Sequence, residues 1–195
     1  MSTTPKNATI EYSNIRYVLT DIEGTTSDIA FVKNVLFPYS AREMRNFIST
    51  HRHQPAVQSA LKDTGAANEN AAITQLLEWI EKDVKHPALK TLQGLIWKKG
   101  YETGAYRAHM YSDVEPALKS WKQSGLRLGV YSSGSIAAQK LFFKHSVNGD
   151  LLDLFSDHFD LEVGGKKDVK SYSLIFKRLK EQGAVQSPKQ ILFLS

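Results

Sequence analysis

The sequence of 195 residues contains no cysteine. A disulfide framework, a thiolate metal site and a cysteine redox centre are therefore excluded. It contains no apolar run long enough to cross a membrane, which takes about 18 residues or more, and its first residues lack a basic-then-apolar secretory pattern. These absences predict a soluble protein of the cytosol, with the nucleus left open as a second compartment, and no membrane partner.

Several motifs of known chemistry are also missing. The sequence has neither the GxxxxGK[ST] loop of P-loop NTPases nor the GxSxG turn of serine hydrolases. Its six histidines show no HExxH-type metal spacing, and we interpret His145 and His158 as ordinary helix-end or turn residues. The net charge of +5 comes from basic residues interspersed with acidic ones, as in residues 177–181, which argues against nucleic acid. That charge remains compatible with attraction of a phosphorylated substrate.

Two carboxylates stand two positions apart where the first apolar run ends. Asp21 and Glu23 belong to the hexapeptide D-I-E-G-T-T, directly after residues 15–20. At the carboxyl end of a strand, both side chains can point at one small volume. That arrangement suits a nucleophile beside a proton carrier, although an acidic loop after an edge strand would give the same pattern.

Further polar segments follow later apolar runs. Ser132 and Ser133 come after residues 126–131, in a turn whose hydroxyl and backbone N–H groups could bind an anion, although an ordinary serine N-cap would look alike. Lys166 lies in a glycine loop after a strand candidate at 159–163, where a lone lysine is usually solvated. A last apolar strand is predicted at 191–194.

The order of elements predicts an α/β fold with a doubly wound parallel sheet. Helices and short apolar strands alternate after residue 110, with helices at 116–123, 136–143 and 171–182. Residues 27–110 have helical periodicity and no convincing strand. We therefore predict an α/β core from residues 1–26 and 111–195, and a helical cap from residues 27–110. The alternative is a helical layer fixed against the sheet.

An Asp, a serine turn, a Lys and a further strand end, in this order, resemble the haloacid dehalogenase superfamily of phosphohydrolases. The sequence most resembles the enolase-phosphatase family of methionine salvage within it, because Glu23 stands where most members of the superfamily carry a second Asp. Segments 29–33, 36–39, 92–94, 131–135 and 138–141 are also similar to that family. The resemblance covers about residues 17–195 and implies a Rossmann-type core with an inserted cap.

The resemblance implies a role for each candidate residue. Asp21 would attack phosphorus to form an aspartyl-phosphate, and Glu23 would protonate the leaving oxygen and then activate water. Ser132, Ser133 and Lys166 would bind the substrate, with Lys166 favoured over Lys167 by its spacing. Mg²⁺ is the implied cofactor, and Asp21 and Glu23 are the implied metal-side residues.

The resemblance also implies a monomeric enzyme acting on a small phosphorylated diketone. It would enolise 2,3-diketo-5-methylthiopentyl-1-phosphate and then hydrolyse the enol phosphate to the acireductone 1,2-dihydroxy-3-keto-5-methylthiopentene. Two alternatives stay open. One is a generic Mg²⁺-dependent phosphatase of another small metabolite, and the other is a truncated form that binds phosphate without turnover.

One departure from the family lies at the last strand. In the family, the strand matching residues 191–194 is followed by an Asp that helps bind Mg²⁺, whereas the sequence given ends at Ser195. We therefore expect a fragment or a shortened product, with weaker Mg²⁺ binding and slow or absent turnover.

Overall fold

The computed structural model describes residues 12–195. Its four strands are β1 (Tyr17–Thr20), β2 (Arg127–Tyr131), β3 (Asp157–Phe159) and β4 (Ile191–Leu194). Its α-helices are α1 (Ile29–Phe31), α2 (Phe37–His51), α3 (Pro55–Asp63), α4 (Glu69–Glu81), α5 (Pro87–Glu102), α6 (Val114–Gln123), α7 (Ile136–Lys144) and α8 (Val169–Glu181). A π-helical turn, Val32–Leu36, joins α1 to α2.

The strands form one parallel sheet in the order β3-β2-β1-β4. The predicted α/β fold with a parallel sheet is therefore confirmed. The chain moves from β1 through β2 to β3 on one side, and β4 then pairs with the other side of β1. The direction of winding thus reverses between β1 and β4, and ligands of open α/β sheets bind at the carboxyl ends of strands at such a point.

Both faces of the central strands β1 and β2 are covered, as expected for buried parallel strands, whereas the edge strand β4 is half-buried. Val18 of β1 faces a cluster that includes Leu118 of α6 and Phe142 and Phe143 of α7. Tyr17 and Leu19 face the opposite cluster, which contains residues of α8. Alternation along β1 thus directs successive side chains to the two helical layers.

Helices α2 to α5 have an apolar cluster of their own. Met44, Ile73, Leu76 and Leu92 are fully buried there, on helices that show the three- and four-residue spacing visible in the sequence. The segment that contains these helices, residues 27–110, is called the helical block below. Its two ends lie close together. The N–H of Tyr111 donates to the carbonyl of Thr26 at 3.1 Å, and that of Asp28 donates to His109 Nδ1 at 3.1 Å. No helix in residues 12–195 is both long and apolar enough to span a membrane.

The predicted strand at 159–163 is wrong in position. The strand β3 covers Asp157–Phe159, and Leu161–Val163 forms a single 3₁₀ turn. Asp160 ends the strand because its carboxylate accepts the N–H of Glu162 at 3.0 Å and so caps that turn. The apolar residues Leu161 and Val163 are therefore not alternating strand residues, although their spacing suggested it.

Candidate active site

Asp21 lies directly beyond the carboxyl end of β1. Its N–H donates to the carbonyl of Leu194 in β4 at 2.9 Å, so the pairing of the two strands continues to the acidic residue. Its Oδ1 accepts the N–H of Ile22 at 2.7 Å, and its side chain is 9% exposed. Ser195, the residue after β4, has its Oγ 3.5 Å from Asp21 Oδ2. The switch point of the sheet thus positions a buried carboxylate.

A tight turn after Asp21 orients Glu23. The N–H groups of Thr25, Thr26 and Ser27 all approach the carbonyl of Ile22, at 2.9–3.2 Å. Gly24 has a φ of 77°, a left-handed conformation that glycine adopts without steric cost. The chain therefore reverses immediately after Glu23.

Ser132 and Ser133 form the turn that follows β2. Ser132 is buried, with its N–H donating to the carbonyl of Phe159 in β3 at 3.2 Å, whereas Ser133 is exposed. Ser135 caps the next helix, because its Oγ accepts the N–H of Ala138 at 3.3 Å. The turn therefore begins with a buried, hydrogen-bonded serine, Ser132, and continues with an exposed one, Ser133.

Lys166 is held by a loop whose backbone is fixed by side chains. Gly164 has a φ of 109°, and a Cβ there would lie 2.3 Å from Ser171 Oγ, so the loop requires glycine. Three successive carbonyl oxygens accept hydroxyl groups: that of Gly164 from Tyr131 at 2.9 Å, that of Gly165 from Ser171 at 2.9 Å, and that of Lys166 from Tyr172 at 2.7 Å. Lys167, the next residue, is exposed.

Asp21 and Lys166 form an ion pair between Oδ2 and Nζ. The charges of Asp21 and Lys166 both act on the nearby carboxyl group of Glu23. Burial raises the pKa of Glu23 above that of an ordinary glutamate, the Asp21 carboxylate raises it further, and Lys166 opposes these effects. A raised pKa keeps a carboxyl group protonated to higher pH, as a proton donor requires. The two carboxyl groups, two positions apart, thus have different electrostatic surroundings.

A cavity of about 250 Å³ lies between the sheet edge and the helical block. Glu23, Ser132 and Ser133 form its polar end, whereas Asp21 and Lys166 pair with each other and are not among its lining residues. Its other walls are mainly apolar and come from the π-turn, α2, α5 and α7: Val32, Leu36, Phe37, Leu89, Trp97 and Phe142. The cavity therefore offers a polar end for an anion and an apolar body for an organic group.

Sequence reasoning missed several residues that build this site. Gln139, Tyr131 and Ser171 hold loop carbonyls, and His109 accepts the N–H of Asp28 at the start of the helical block. His158, interpreted from sequence as an ordinary turn residue, lies instead in β3, where burial lowers its pKa to about 4. The similarity of segment 138–141 to the enolase-phosphatases was the one signal that included Gln139.

The family model of the haloacid dehalogenase-like hydrolases matches residues 15–195. The chain belongs to this family. Among curated relatives, it is 50% identical over 190 residues to the enolase-phosphatase E1 of Alcanivorax borkumensis, a match that covers 93% of this chain and 80% of that protein. The enolase-phosphatase E1 of Hahella chejuensis is 47% identical over 191 residues, with 95% and 80% covered. Both relatives are bacterial, so they give no support to the nuclear location.

Solved structures agree with this assignment. The UTR4 protein (Unknown transcript 4 protein) of Saccharomyces cerevisiae superimposes with a TM-score of 0.76 at 35% identity, covering 92% of this chain and 80% of that one. The putative haloacid dehalogenase-type hydrolase YfnB of Bacillus subtilis matches with a TM-score of 0.54 at 12% identity, with 92% and 78% covered. The second likeness concerns the fold alone. The chain is thus a hydrolase of the haloacid dehalogenase-like family whose curated relatives are enolase-phosphatases.

Proposed function

We propose that this chain is an enolase-phosphatase that transfers a phosphoryl group to Asp21 and then to water. The observation that carries the proposal is the meeting of Asp21, Lys166 and the serine turn at the carboxyl ends of β1 and β2. A carboxylate nucleophile, a cation and a set of hydroxyl and N–H donors are the groups that a displacement at phosphorus uses.

The first displacement needs Asp21 as an anion and Glu23 as an acid. An Asp21 oxygen forms a bond to phosphorus while the bond from phosphorus to the ester oxygen breaks, and the proton of Glu23 passes to that leaving oxygen. In the second displacement, the Glu23 carboxylate takes a proton from water, whose oxygen attacks phosphorus and releases Asp21. The raised pKa of Glu23 supports this division of roles, because it favours the protonated form at the start.

Ser132, Ser133 and Lys166 are proposed to hold the phosphoryl oxygens. Lys166 is oriented by its loop toward the carboxylate that would receive the phosphoryl group. The serine turn supplies short-range donors at the polar end of the cavity. Charge that develops on the phosphoryl oxygens would thereby meet fixed donors, with little reorganisation during the reaction.

The acidic pair fits Mg²⁺, the cofactor that the family resemblance implies. Residues 12–195 contain no group of three His, Cys, Asp or Glu side chains that could hold a metal. However, Mg²⁺ in phosphoryl-transfer sites is usually bound by one or two carboxylates together with substrate oxygens and water. Asp21 and Glu23 would provide those carboxylates, and the ion would reduce repulsion between an anionic nucleophile and an anionic phosphate.

Residues 27–110 are proposed to act as the cap over the organic part of the substrate. The block has its own apolar cluster, and its two ends meet beside the site, as an inserted unit requires. Phe37 and Trp97 stack with ring centroids 6.2 Å apart and line the cavity. Such a wall would accept a methylthioalkyl chain and exclude water from the reacting end.

For the enolisation of 2,3-diketo-5-methylthiopentyl-1-phosphate, the same site would supply the proton carrier. Glu23 lies in the cavity wall and carries a carboxyl group with a perturbed pKa. The substrate proposed here follows from the enolase-phosphatase relatives. Assay of this diketone phosphate against a panel of small phosphorylated metabolites separates this function from a general phosphatase.

Asp21→Asn tests the nucleophile. The amide keeps an oxygen for the N–H of Ile22, so the fold should survive, but it cannot attack phosphorus or pair with Lys166 as an anion. We expect no phosphate release above background and an unchanged far-UV spectrum. Asp63→Asn, at the exposed end of α3, is the matched control and should match the wild type. Undiminished turnover by Asp21→Asn would remove this residue from the mechanism.

A further inference from the structure

Gln139, in the first turn of α7, is buried beneath the serine turn. The residue is 1% exposed, although glutamine is normally a surface residue. A buried primary amide must satisfy two N–H donors and one carbonyl acceptor, because an unmet polar group costs about 1–3 kcal/mol. The contacts of this amide therefore indicate what the residue is for.

The amide nitrogen of Gln139 links two strand ends. It lies 2.8 Å from the carbonyl oxygen of Gly134 and 2.8 Å from that of Phe159, with the carbonyl of Ser132 further away at 3.4 Å. The Phe159 carbonyl also accepts the N–H of Ser132. One side chain thus joins the turn after β2 to the end of β3.

The orientation of this amide is unique. If it were flipped, its oxygen would face the carbonyl oxygens of Gly134 and Phe159, and the contacts would become repulsive. In the observed orientation, Gln139 Oε1 lies 3.2 Å from His158 Nδ1. Burial lowers the pKa of His158 to about 4, so the ring is neutral near pH 7, and its Nδ1 must carry the hydrogen that is donated to Oε1.

Holding the turn carbonyls also fixes the N–H groups that follow them. In a planar trans peptide, the C=O of one residue and the N–H of the next point in opposite directions. Because Gln139 binds the carbonyl of Gly134 at 2.8 Å, the N–H of Ser135 points away from it, and the longer contact of 3.4 Å to the carbonyl of Ser132 orients the N–H of Ser133 in the same sense. Within the described residues neither of these N–H groups has a backbone or side-chain acceptor, and both serines line the cavity.

We propose that Gln139 is a positioning residue, which holds the carbonyls of the serine turn inward so that the N–H groups of Ser133 and Ser135 face the phosphoryl oxygens. This inference rests on the proposed phosphatase function. It assigns phosphate recognition partly to two backbone donors and their buried anchor, besides the serine hydroxyls and Lys166.

Gln139→Leu tests the proposal by keeping the shape of the side chain and removing its donors. Inorganic phosphate is titrated calorimetrically, and kcat and KM are measured for the diketone phosphate. We expect the dissociation constant of phosphate to rise about tenfold, as for loss of one oriented hydrogen bond, and KM to rise more than kcat falls. Gln123→Leu, the same change at the exposed end of α6, should leave all three values unchanged.

Gln139→Glu supplies a readout that a purely structural role would not move. Its carboxylate would repel the turn carbonyls at pH 8, but its protonated form carries one O–H donor, so phosphate affinity relative to the wild type should partly recover towards pH 5.5. In the wild type, burial lowers the pKa of His158 to about 4, so this ring contributes no wild-type change between pH 5.5 and 8; the other charged group that acts on it is Lys140, on the exposed side of α7.

The outcomes separate two failures. If the wild type does not bind inorganic phosphate, the proposed function is overturned. If it does bind phosphate, and phosphate affinity is unchanged in Gln139→Leu or independent of pH in Gln139→Glu relative to the wild type, only the role of Gln139 is overturned.

Discussion

The sheet side and the helical side of the candidate site are built by different forces. On the sheet side, the loop of Lys166 is fixed by directional hydrogen bonds from Tyr131, Ser171 and Tyr172 to consecutive carbonyls. On the helical side, stacked rings and aliphatic residues of α2 and α5 supply mainly apolar contacts. Hydrogen bonds weaken when donor and acceptor move apart by a few tenths of an ångström, whereas apolar contacts tolerate changes in side-chain shape. Substitutions on the sheet side should therefore affect chemistry, and those on the helical side should affect affinity and selectivity.

After Asp21→Asn, the largest effect is expected on the sheet side, from Glu23→Gln. The amide has nearly the same size but cannot exchange a proton with the leaving oxygen or with water. We expect kcat to fall by about 10²–10⁴-fold with a much smaller change in KM, as for the loss of a general acid–base group. Single-turnover and steady-state assays check this. A loss confined to KM would assign Glu23 to binding.

Two neighbouring lysines provide a second test of the sheet side. Lys166→Ala removes the cation that contacts Asp21, and we expect kcat/KM to fall roughly 10²-fold or more and phosphate binding to weaken. Lys167→Ala is the matched control, since Lys167 is the next residue and is exposed. Its kinetics should equal those of the wild type. The reverse result would mean that the loop adopts another register when substrate binds.

On the helical side, Phe37→Ala should act on selectivity. Loss of the ring removes apolar contact with an organic tail, so KM for the diketone phosphate should rise by roughly tenfold. The dissociation constant of inorganic phosphate, which has no tail, should change little. Phe176→Ala is the control, because that ring packs half-buried on α8 in the opposite layer. An equal loss for both ligands would contradict the division between the sheet side and the helical side.

The smallest expected effect is a shift in the pKa of Glu23, on the sheet side, caused by charged residues of the helical side. Asp83 and Lys85 lie between α4 and α5 as an exposed ion pair and line the cavity. The Lys85 charge lowers the pKa of Glu23 and the Asp83 charge raises it. Activity that needs protonated Glu23 declines as pH rises through this pKa, so Lys85→Ala should move the basic limb of kcat/KM to higher pH. Asp83→Asn should move it to lower pH, and shifts of the same sign would refute this coupling.

Sequence patterns predicted three of the four described strands closely and misplaced the other one, β3. Strand β4 was predicted with its observed bounds, and β1 and β2 within one or two residues, because their apolar runs are continuous. The position of β3 was wrong, since a single side chain, Asp160, ends the strand by a local hydrogen bond that the apolar pattern does not report.

The candidate site divides in the same way. Asp21, Glu23, the serines and Lys166 were proposed from motifs at strand ends, and the structure brings them to one edge of the sheet, where their roles remain predictions. Gln139 and Tyr131 were not predicted as supports. Each donates to a backbone carbonyl about 20 or more residues away, and such contacts follow no period along the chain.

The ion pair with Lys166 gives Asp21 a cationic partner before a substrate binds. A phosphate ester that enters must exchange places with Asp21 as the partner of the lysine, so recognition is a competition between two anions. Small oxyanions such as sulfate should join the same competition and inhibit with a strength that falls as salt concentration rises. The nucleophile is thus released from its counter-ion by the arrival of its own target.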